Sequence, residues 1–108
     1  MKRRYITYIV CVIMFSCGQQ EKKSPDSSRV DINEIKRVYG FKCAICHGKD
    51  GNSVIKLAPN LTKSTTSYEE SVAIIKYGSG TMPPHKETID PETIKGLAKY
   101  IESFRDEL

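Results

Sequence analysis

Side chains that bind metals or form cross-links are scarce in this chain, which has four cysteines, three methionines and two histidines among 108 residues. Cys11 and Cys17 lie within the first seventeen residues, so the rest of the chain has only Cys43 and Cys46. A disulfide framework of the kind that holds small secreted domains together is therefore excluded. Methionine is distributed in the same way, since Met82 is the only one after position 14.

A large excess of charge and a membrane-spanning apolar run are also missing. The net charge of +4 comes from 17 basic and 13 acidic residues, and without Lys2, Arg3 and Arg4 the basic count falls to 14. A nearly neutral chain without a basic stripe interleaved with aromatic residues gives no support to nucleic-acid binding. The apolar run at residues 5–15 is shorter than the roughly 20 residues that span a bilayer.

The first seventeen residues have the pattern of an export signal, because a basic segment precedes the apolar run. Cys17 follows that run between two small residues and resembles the lipobox cysteine of bacterial lipoproteins, which is lipidated and becomes the new N-terminus. We therefore expect residues 1–17 to be a lipoprotein-type export signal, and lipidated Cys17 to anchor the protein to a membrane on the periplasmic side of a bacterium. An ordinary cleaved signal or a short uncleaved anchor is the alternative. Residues 18–29 are polar and are expected to form a flexible linker.

Residues 43–47 read Cys-Ala-Ile-Cys-His, the C-x-x-C-H pattern by which a c-type haem is attached. Thiols at Cys43 and Cys46 would lie on one helical turn and could each add to a vinyl group of one porphyrin, and the imidazole of His47 could reach the iron.

Two other interpretations of the cysteine pair are open. A structural zinc site needs four ligands, and the chain after position 17 has only two cysteines and two histidines. A thioredoxin-type dithiol needs a strand–helix–strand context, whereas the flanking sequence predicts helices.

Helix signals occur repeatedly and strand-like alternation nowhere, so the predicted fold class is all-α, with three to four helices. Capping-box patterns begin helices at Asp31, with Glu34 three positions later, and at Ser67. Asp90 followed by a proline begins the last helix. That helix has a broad apolar stripe, whose members are Ile94, Leu97, Ala98, Tyr100, Ile101 and Phe104. Gly96 lowers its stability by about 1 kcal/mol, which indicates either a close approach of another helix or a neutral exposed site.

Three further residues are candidates for the surroundings of a haem iron. The carbonyl of Pro59, in the loop after the motif, is suited to accept the second ring N–H of His47; a simple turn proline is the alternative. Met82 lies between a glycine-rich stretch and Pro83, which favours an extended loop. It is predicted to be the second axial ligand rather than a core residue. His85 is the rival ligand and is predicted to be a surface residue.

Together these residues resemble a small class I c-type cytochrome over residues 30–108. The resemblance rests on an aromatic residue before the first cysteine, the haem-attachment motif, a Pro-Asn-Leu segment, a methionine flanked by glycine and proline, and a last helix with leucine and tyrosine. These are Tyr39, residues 43–48, 59–61 and 78–83, Leu97 and Tyr100. In this family the first and last helices cross near the haem. Ile35 departs from the pattern, since family members often have glycine at that crossing.

The resemblance implies one haem c per chain, attached through Cys43 and Cys46. It makes His47 the proximal ligand and Met82 the distal ligand, with the carbonyl of Pro59 as the partner of the imidazole. The implied function is that of a monomeric electron carrier, not an enzyme, which exchanges electrons with a respiratory donor and a terminal acceptor in the periplasm. Two alternatives are a haem enzyme or sensor, if Met82 does not bind the iron, and a haem subunit of a larger oxidoreductase complex.

The size of the domain makes the cofactor structurally important. Residues 30–108 give 79 positions, near the length at which a chain buries only a marginal core by itself. A covalently held porphyrin would supply the apolar centre, so the haem-free chain is expected to be largely unfolded.

Overall fold

The computed structural model describes residues 30–106, and every regular element in that range is a helix. The elements in chain order are α1 (Ile32–Lys42), α2 (Ala44–His47), a 3₁₀ helix (Leu61–Lys63), α3 (Tyr68–Tyr77) and α4 (Pro91–Asp106). Within these residues the only β-type pairing is an isolated bridge between Ser79 and Met82. The predicted all-α class and number of helices are confirmed. The predicted signal at 1–17, including Cys17, and the predicted linker at 18–29 lie outside the described residues.

Helix α1 begins as the sequence predicts but without the complete capping box. The Asp31 carboxylate accepts a hydrogen bond from the backbone N–H of Asn33 at 3.0 Å. Glu34, however, binds the guanidinium of Arg37, with Nη2 to Oε2 at 2.6 Å, and does not return to the backbone of Asp31. The prediction of the box was wrong because a basic residue one turn along offers Glu34 a stronger partner.

Helices α3 and α4 have the predicted caps. Ser67 Oγ accepts from Glu70 N at 3.2 Å, and the Glu70 carboxylate accepts from Ser67 N at 2.9 Å, which completes a capping box. Asp90 accepts from both the backbone N and the hydroxyl of Thr93, at 3.0 and 2.6 Å. These contacts hold the pKa of both capping carboxyls, at Glu70 and Asp90, below the usual range. Both helices therefore start at fixed positions beside the loops that precede them.

The core lies where α1 crosses α4. Its buried side chains are Ile35, Tyr39, Cys43, Ile75, Ile89, Ile94, Leu97, Ala98, Ile101 and Phe104. A Cβ atom on Gly96 would overlap the Cδ1 of Ile35, so the two helices are packed closely at this point. The first of the two explanations for Gly96, a close approach of another helix, is therefore correct. At the crossing, Gly96 of α4 packs against the bulky side chain of Ile35 from α1.

The loop between α2 and the 3₁₀ helix is fixed against the end of α4. Gly51 has φ of 80°, and a Cβ there would lie 2.9 Å from Cδ2 of Phe104. The carbonyl of Gly51 accepts a hydrogen bond from Leu61 N at 2.7 Å. Because Leu61 begins the 3₁₀ helix, this bond also sets the position of the preceding turn, which contains Pro59.

No helix between residues 30 and 106 has the length and apolar character needed to cross a membrane.

Candidate haem-binding site

The two cysteines lie on consecutive turns of backbone at the junction of α1 and α2. Cys43 N donates to Tyr39 O at 2.9 Å and ends α1. The carbonyl of Cys43 then accepts from Cys46 N at 3.2 Å and from His47 N at 2.9 Å, so α2 starts at once. Residues three apart on a helix face the same side. Both thiols are free, and both line the same cavity.

The alternative interpretations of the cysteine pair find no support in the described residues. Between residues 30 and 106, no group of three or more His, Cys, Asp or Glu side chains is placed to hold a metal ion. Burial, reinforced by the charge of nearby Cys46, raises the pKa of the Cys43 thiol to about 11. A redox-active dithiol needs the opposite, a thiol whose pKa is lowered. Neither a structural zinc site nor a thioredoxin-like dithiol fits this arrangement.

His47 is held with one edge of its ring against the loop and the other toward the cavity. Its side chain is buried, and Nδ1 lies 3.0 Å from the carbonyl oxygen of Pro59. If Nδ1 carries the proton and donates this bond, Nε2 keeps its lone pair for a ligand. The next residue, Gly48, has φ of 77°, and its carbonyl accepts a bond from the buried hydroxyl of Tyr39 at 2.7 Å. The ring of His47 is thus held by Pro59, and the backbone that follows it, at Gly48, is held by Tyr39.

Met82 lies in the loop between α3 and α4, in a short turn whose backbone is constrained. Met82 N donates to Ser79 O at 2.9 Å, and Ser79 N donates to Met82 O at 3.1 Å. Gly78 has φ of 76°, and a Cβ there would lie 2.6 Å from the carbonyl oxygen of Met82. Pro83 restricts the other side. The thioether is half-buried and lines the same cavity as the two thiols and the imidazole of His47.

The cavity has a volume of about 380 Å³, within the range of about 300–1,000 Å³ that is usual for small-molecule sites. Its apolar lining includes Leu61, Ile74, Ile75 and Ile101, and Ile45, Ile55 and Leu57 lie at its edge. A porphyrin is a flat apolar body with two anionic propionates, so it needs apolar walls and a cationic group. Two cationic side chains, Lys42 and Arg105, line the cavity, and Nε and Nη2 of Arg105 are buried without an acceptor among the described residues. The residues present therefore fit haem c.

At the cavity the structure corrects the predicted placement of His85 on the surface. Its side chain is half-buried and lines the cavity, three positions from Met82. Burial, and then the charge of Lys42, lower the pKa of His85. The imidazole is therefore biased towards its neutral form. The turn is held by bonds from His85 N to Ile75 O at 3.0 Å and from Ile89 N to His85 O at 2.9 Å.

Arg105 is a charged cavity residue that the sequence analysis missed. A signal was present, because Arg105 lies four positions after Ile101 and so continues one side of the apolar stripe of α4. A charged residue at the end of a helix is usually solvated, and nothing in the sequence places it beside the loop at Thr66. The contact that reveals it, from Arg105 Nη1 to Thr66 O at 2.8 Å, spans 39 positions.

Known proteins show the same domain. A family model described as cytochrome c oxidase, cbb3-type, subunit III matches residues 30–101. The chain is 32% identical over 86 residues to the cbb3-type cytochrome c oxidase subunit FixP of Bradyrhizobium diazoefficiens, covering 74% of this chain and 30% of that protein. It is 31% identical over 87 residues to the FixP subunit of Bradyrhizobium sp. (strain ORS 278), with the same coverage. The chain thus spans about 30% of the length of these curated relatives.

A solved structure, that of the KustC0563 c-type cytochrome, superposes with a TM-score of 0.59. The two share 29% sequence identity, and the match covers 65% of this chain and 95% of that one. The chain belongs to the family of cytochrome c oxidase, cbb3-type, subunit III, and is a small c-type cytochrome whose domain binds haem c covalently and transfers electrons.

Proposed function

We propose that residues 30–108 form a closed-site electron carrier in which Cys43 and Cys46 hold the haem through thioethers and His47 and Met82 are its axial ligands. The observation that carries this proposal is the convergence of all four side chains on one cavity, with His47 oriented by the Pro59 carbonyl at 3.0 Å. Bound haem c supplies one-electron exchange between ferrous and ferric iron.

The protein groups have separate tasks in this proposal. The carbonyl of Pro59 accepts the Nδ1 proton of His47, which fixes the ring and raises the basicity of Nε2. The Met82 thioether favours the reduced state and raises the reduction potential relative to a second imidazole. With His47 and Met82 both bound, the iron would have no open position for substrates or gases, and the protein groups would need little rearrangement on electron transfer.

Exposure of the reduced protein to carbon monoxide separates a closed-site carrier from an open-site enzyme or sensor. The purified holoprotein should titrate reversibly as a single one-electron centre, and its ferrous spectrum should not change under carbon monoxide. Rapid formation of a carbon monoxide complex by the wild-type protein would contradict the carrier function. Met82→Ala provides the positive control, because removal of the thioether opens that side of the site.

A second candidate function is that of a haem subunit held in a larger oxidase complex. The observation in its favour is that the FixP relatives bear the name of cbb3-type oxidase subunits, although this chain spans only about 30% of their length. An affinity-tagged chain purified from mild-detergent extracts tests it. Co-purification of stoichiometric oxidase subunits would favour the complex, and recovery as a monomer would favour a carrier that moves between a respiratory donor and a terminal acceptor.

The proposed location is the periplasmic face of a bacterial membrane, with residues 1–17 as export signal, Cys17 as the lipidated residue and residues 18–29 as the linker. The support is the sequence pattern alone: a basic start, a short apolar run and a cysteine between small residues. Labelled palmitate should enter the wild-type protein and the Cys11→Ala control but not Cys17→Ala. An unlabelled, freely soluble wild-type protein would contradict the anchor.

A further inference from the structure

The last turn of α4 places an incompletely bonded guanidinium inside the molecule. Arg105 Nη1 donates to the carbonyl of Thr66 at 2.8 Å, whereas Nε and Nη2 are buried and have no acceptor among residues 30–106. A buried donor without a partner destabilises a fold, and a charged donor does so more than a neutral one. Such donors in a native structure indicate a partner that is not part of the chain.

The surroundings of Arg105 show what kind of partner that is. Arg105 lines the cavity that contains Cys43, Cys46 and His47, and the adjoining lining residues Ser64 and Thr66 are polar. The hydroxyls of Ser64 and Thr66 are bonded to each other at 2.8 Å. Lys42 is the other cationic side chain that lines the cavity, but it is exposed, whereas two guanidinium nitrogens of Arg105 are buried. No described carboxylate forms an ion pair with it, because the ion pairs found within residues 30–106 involve other basic residues.

We propose that Arg105 binds one propionate of the haem through Nε and Nη2 while Nη1 stays on Thr66. A guanidinium offers two parallel N–H groups whose spacing matches the two oxygens of a carboxylate. Such charge-assisted hydrogen bonds are stronger than those between neutral groups. The Thr66 contact fixes the plane of the fork before the haem is bound. The proposal depends on the haem c of the family and does not depend on which side chains bind the iron.

An adjacent cation changes the titration of the propionate in a defined direction. A positive charge within hydrogen-bonding distance favours the ionised carboxylate and lowers its pKa by about 1–3 units relative to an unpaired carboxyl group. One of the two propionates should therefore remain ionised to lower pH than an ordinary carboxyl group, whose pKa is about 4. Removal of the guanidinium should raise the pKa of that propionate by the same amount.

Carbon-13 NMR of the ferrous, diamagnetic holoprotein measures this directly. Growth on 5-aminolevulinate labelled at its carboxyl carbon places the label on the two propionate carboxyls, which are then titrated with pH. In Arg105→Gln one propionate pKa should rise by about 1–3 units, and Arg105→Lys should retain part of the shift. Arg37→Gln is the control, since it removes the same charge from an exposed pair with Glu34 and should leave both titrations unchanged.

Two results would overturn the proposal. One is the same propionate titration in wild type and Arg105→Gln. The other is a wild-type protein in which both propionates titrate as ordinary carboxyls, which needs no variant and so holds even if Arg105→Gln does not fold. A purely structural role, through the bond to Thr66, would lower the thermal midpoint of Arg105→Gln without moving a propionate pKa.

An absorption spectrum of the same protein after oxidation to the ferric state keeps this test separate from that of the axial ligands. The far-red band of a sulfur-ligated ferric haem should persist in Arg105→Gln, because the variant leaves both proposed iron ligands in place. A protein without that band but with the expected propionate shift would contradict Met82 ligation and support the role of Arg105.

Discussion

The hydroxyl of Tyr39 shows how a single residue fixes the haem-attachment motif in place. It donates to the carbonyl of Gly48, directly after His47, at 2.7 Å. Its ring is buried and packs edge-on against Tyr100, with ring centroids 5.4 Å apart. It also packs at a tilt against Phe104, with ring centroids 5.2 Å apart. Tyr39 is thus a packing residue of the core. The polar contact adds a link between α1 and the backbone that follows the motif.

We predict that Tyr39→Phe destabilises the holoprotein by about 0.5–1.5 kcal/mol. The substitution removes the shorter of the two hydrogen bonds to the buried carbonyl of Gly48, which also accepts from Gly51 N at 3.3 Å. The effect should be measured as the loss of unfolding free energy in urea at neutral pH. Tyr77→Phe, at an exposed position, is the control and should have little effect. Equal stability of wild type and Tyr39→Phe would contradict the role assigned to this hydroxyl.

The same variant should also change the pH dependence of stability. Burial raises the pKa of Tyr39 well above the ordinary value of about 10. The unfolded chain therefore loses its proton first, and the stability conferred by the neutral hydroxyl is complete below pH about 10 and is lost as the pH rises towards the folded-state pKa. Between those values wild type should lose more stability with rising pH than Tyr39→Phe.

Residues differ in how far the sequence predicted their positions. Cys43, Cys46, His47 and Met82 form a short inventory of possible ligands, and all four line one cavity. Their bonds to haem stay predictions. Arg105 could not be placed, because its partner loop is distant in sequence and an arginine at a helix end is normally solvated. His85 was misplaced because its burial depends on how the turn after Met82 folds back on α3.

At the scale of elements, the crossing of α1 and α4 depends on one glycine. A methyl group at Gly96 would overlap Ile35, so the missing side chain is what permits the close packing. Gly40, in α1, provides a contrast because nothing lies within 4 Å of a Cβ at that position. Both glycines lie within helices, but only Gly96 has a side chain from another helix against it.

We predict opposite effects of alanine at the two glycines. Gly96→Ala should lower the free energy of unfolding by about 1–3 kcal/mol because it overpacks the crossing, while Gly40→Ala should raise it by about 0.5–1 kcal/mol through helix propensity. The urea midpoints of the two variants measure this. In the double variant Gly96→Ala, Ile35→Ala the loss should be smaller than the sum of the single losses. A stabilising Gly96→Ala would contradict the close crossing.

The long helices were predictable from local signals, and the short ones were not. Ser67 and Asp90 cap helices as their sequence patterns indicate, because those bonds form within four residues. Helix α2 and the 3₁₀ helix have four and three residues, too few to show periodicity. Their positions depend on contacts such as that between Leu61 and Gly51, which only the folded chain brings together.

At the scale of the whole molecule, the cofactor completes the apolar interior. The cavity is lined by side chains from α2, α3, α4 and both long loops, so a haem bound there would contact all of these elements. Ile45 and Leu57 line it and are 73% and 72% exposed. The part of the core that protein side chains form by themselves is largely the crossing of α1 and α4.

We therefore predict that the haem-free chain is largely unfolded. The variant Cys43→Ala, Cys46→Ala should lose most of the helical signal in far-UV circular dichroism, because the marginal core of so small a domain lacks its apolar centre. Wild-type chain produced without haem attachment is the matched control and should be unfolded to the same extent. Full helical signal in either haem-free chain would contradict this dependence.

The central claim is that His47 and Met82 close the haem site from its two sides, and the absorption spectrum of the ferric protein tests it most directly. We expect the weak far-red charge-transfer band of sulfur-ligated haem in wild type and in His85→Gln, and its loss in Met82→Ala. A wild-type protein without the band, or a band that disappears in His85→Gln and persists in Met82→Ala, would contradict the closed site proposed here.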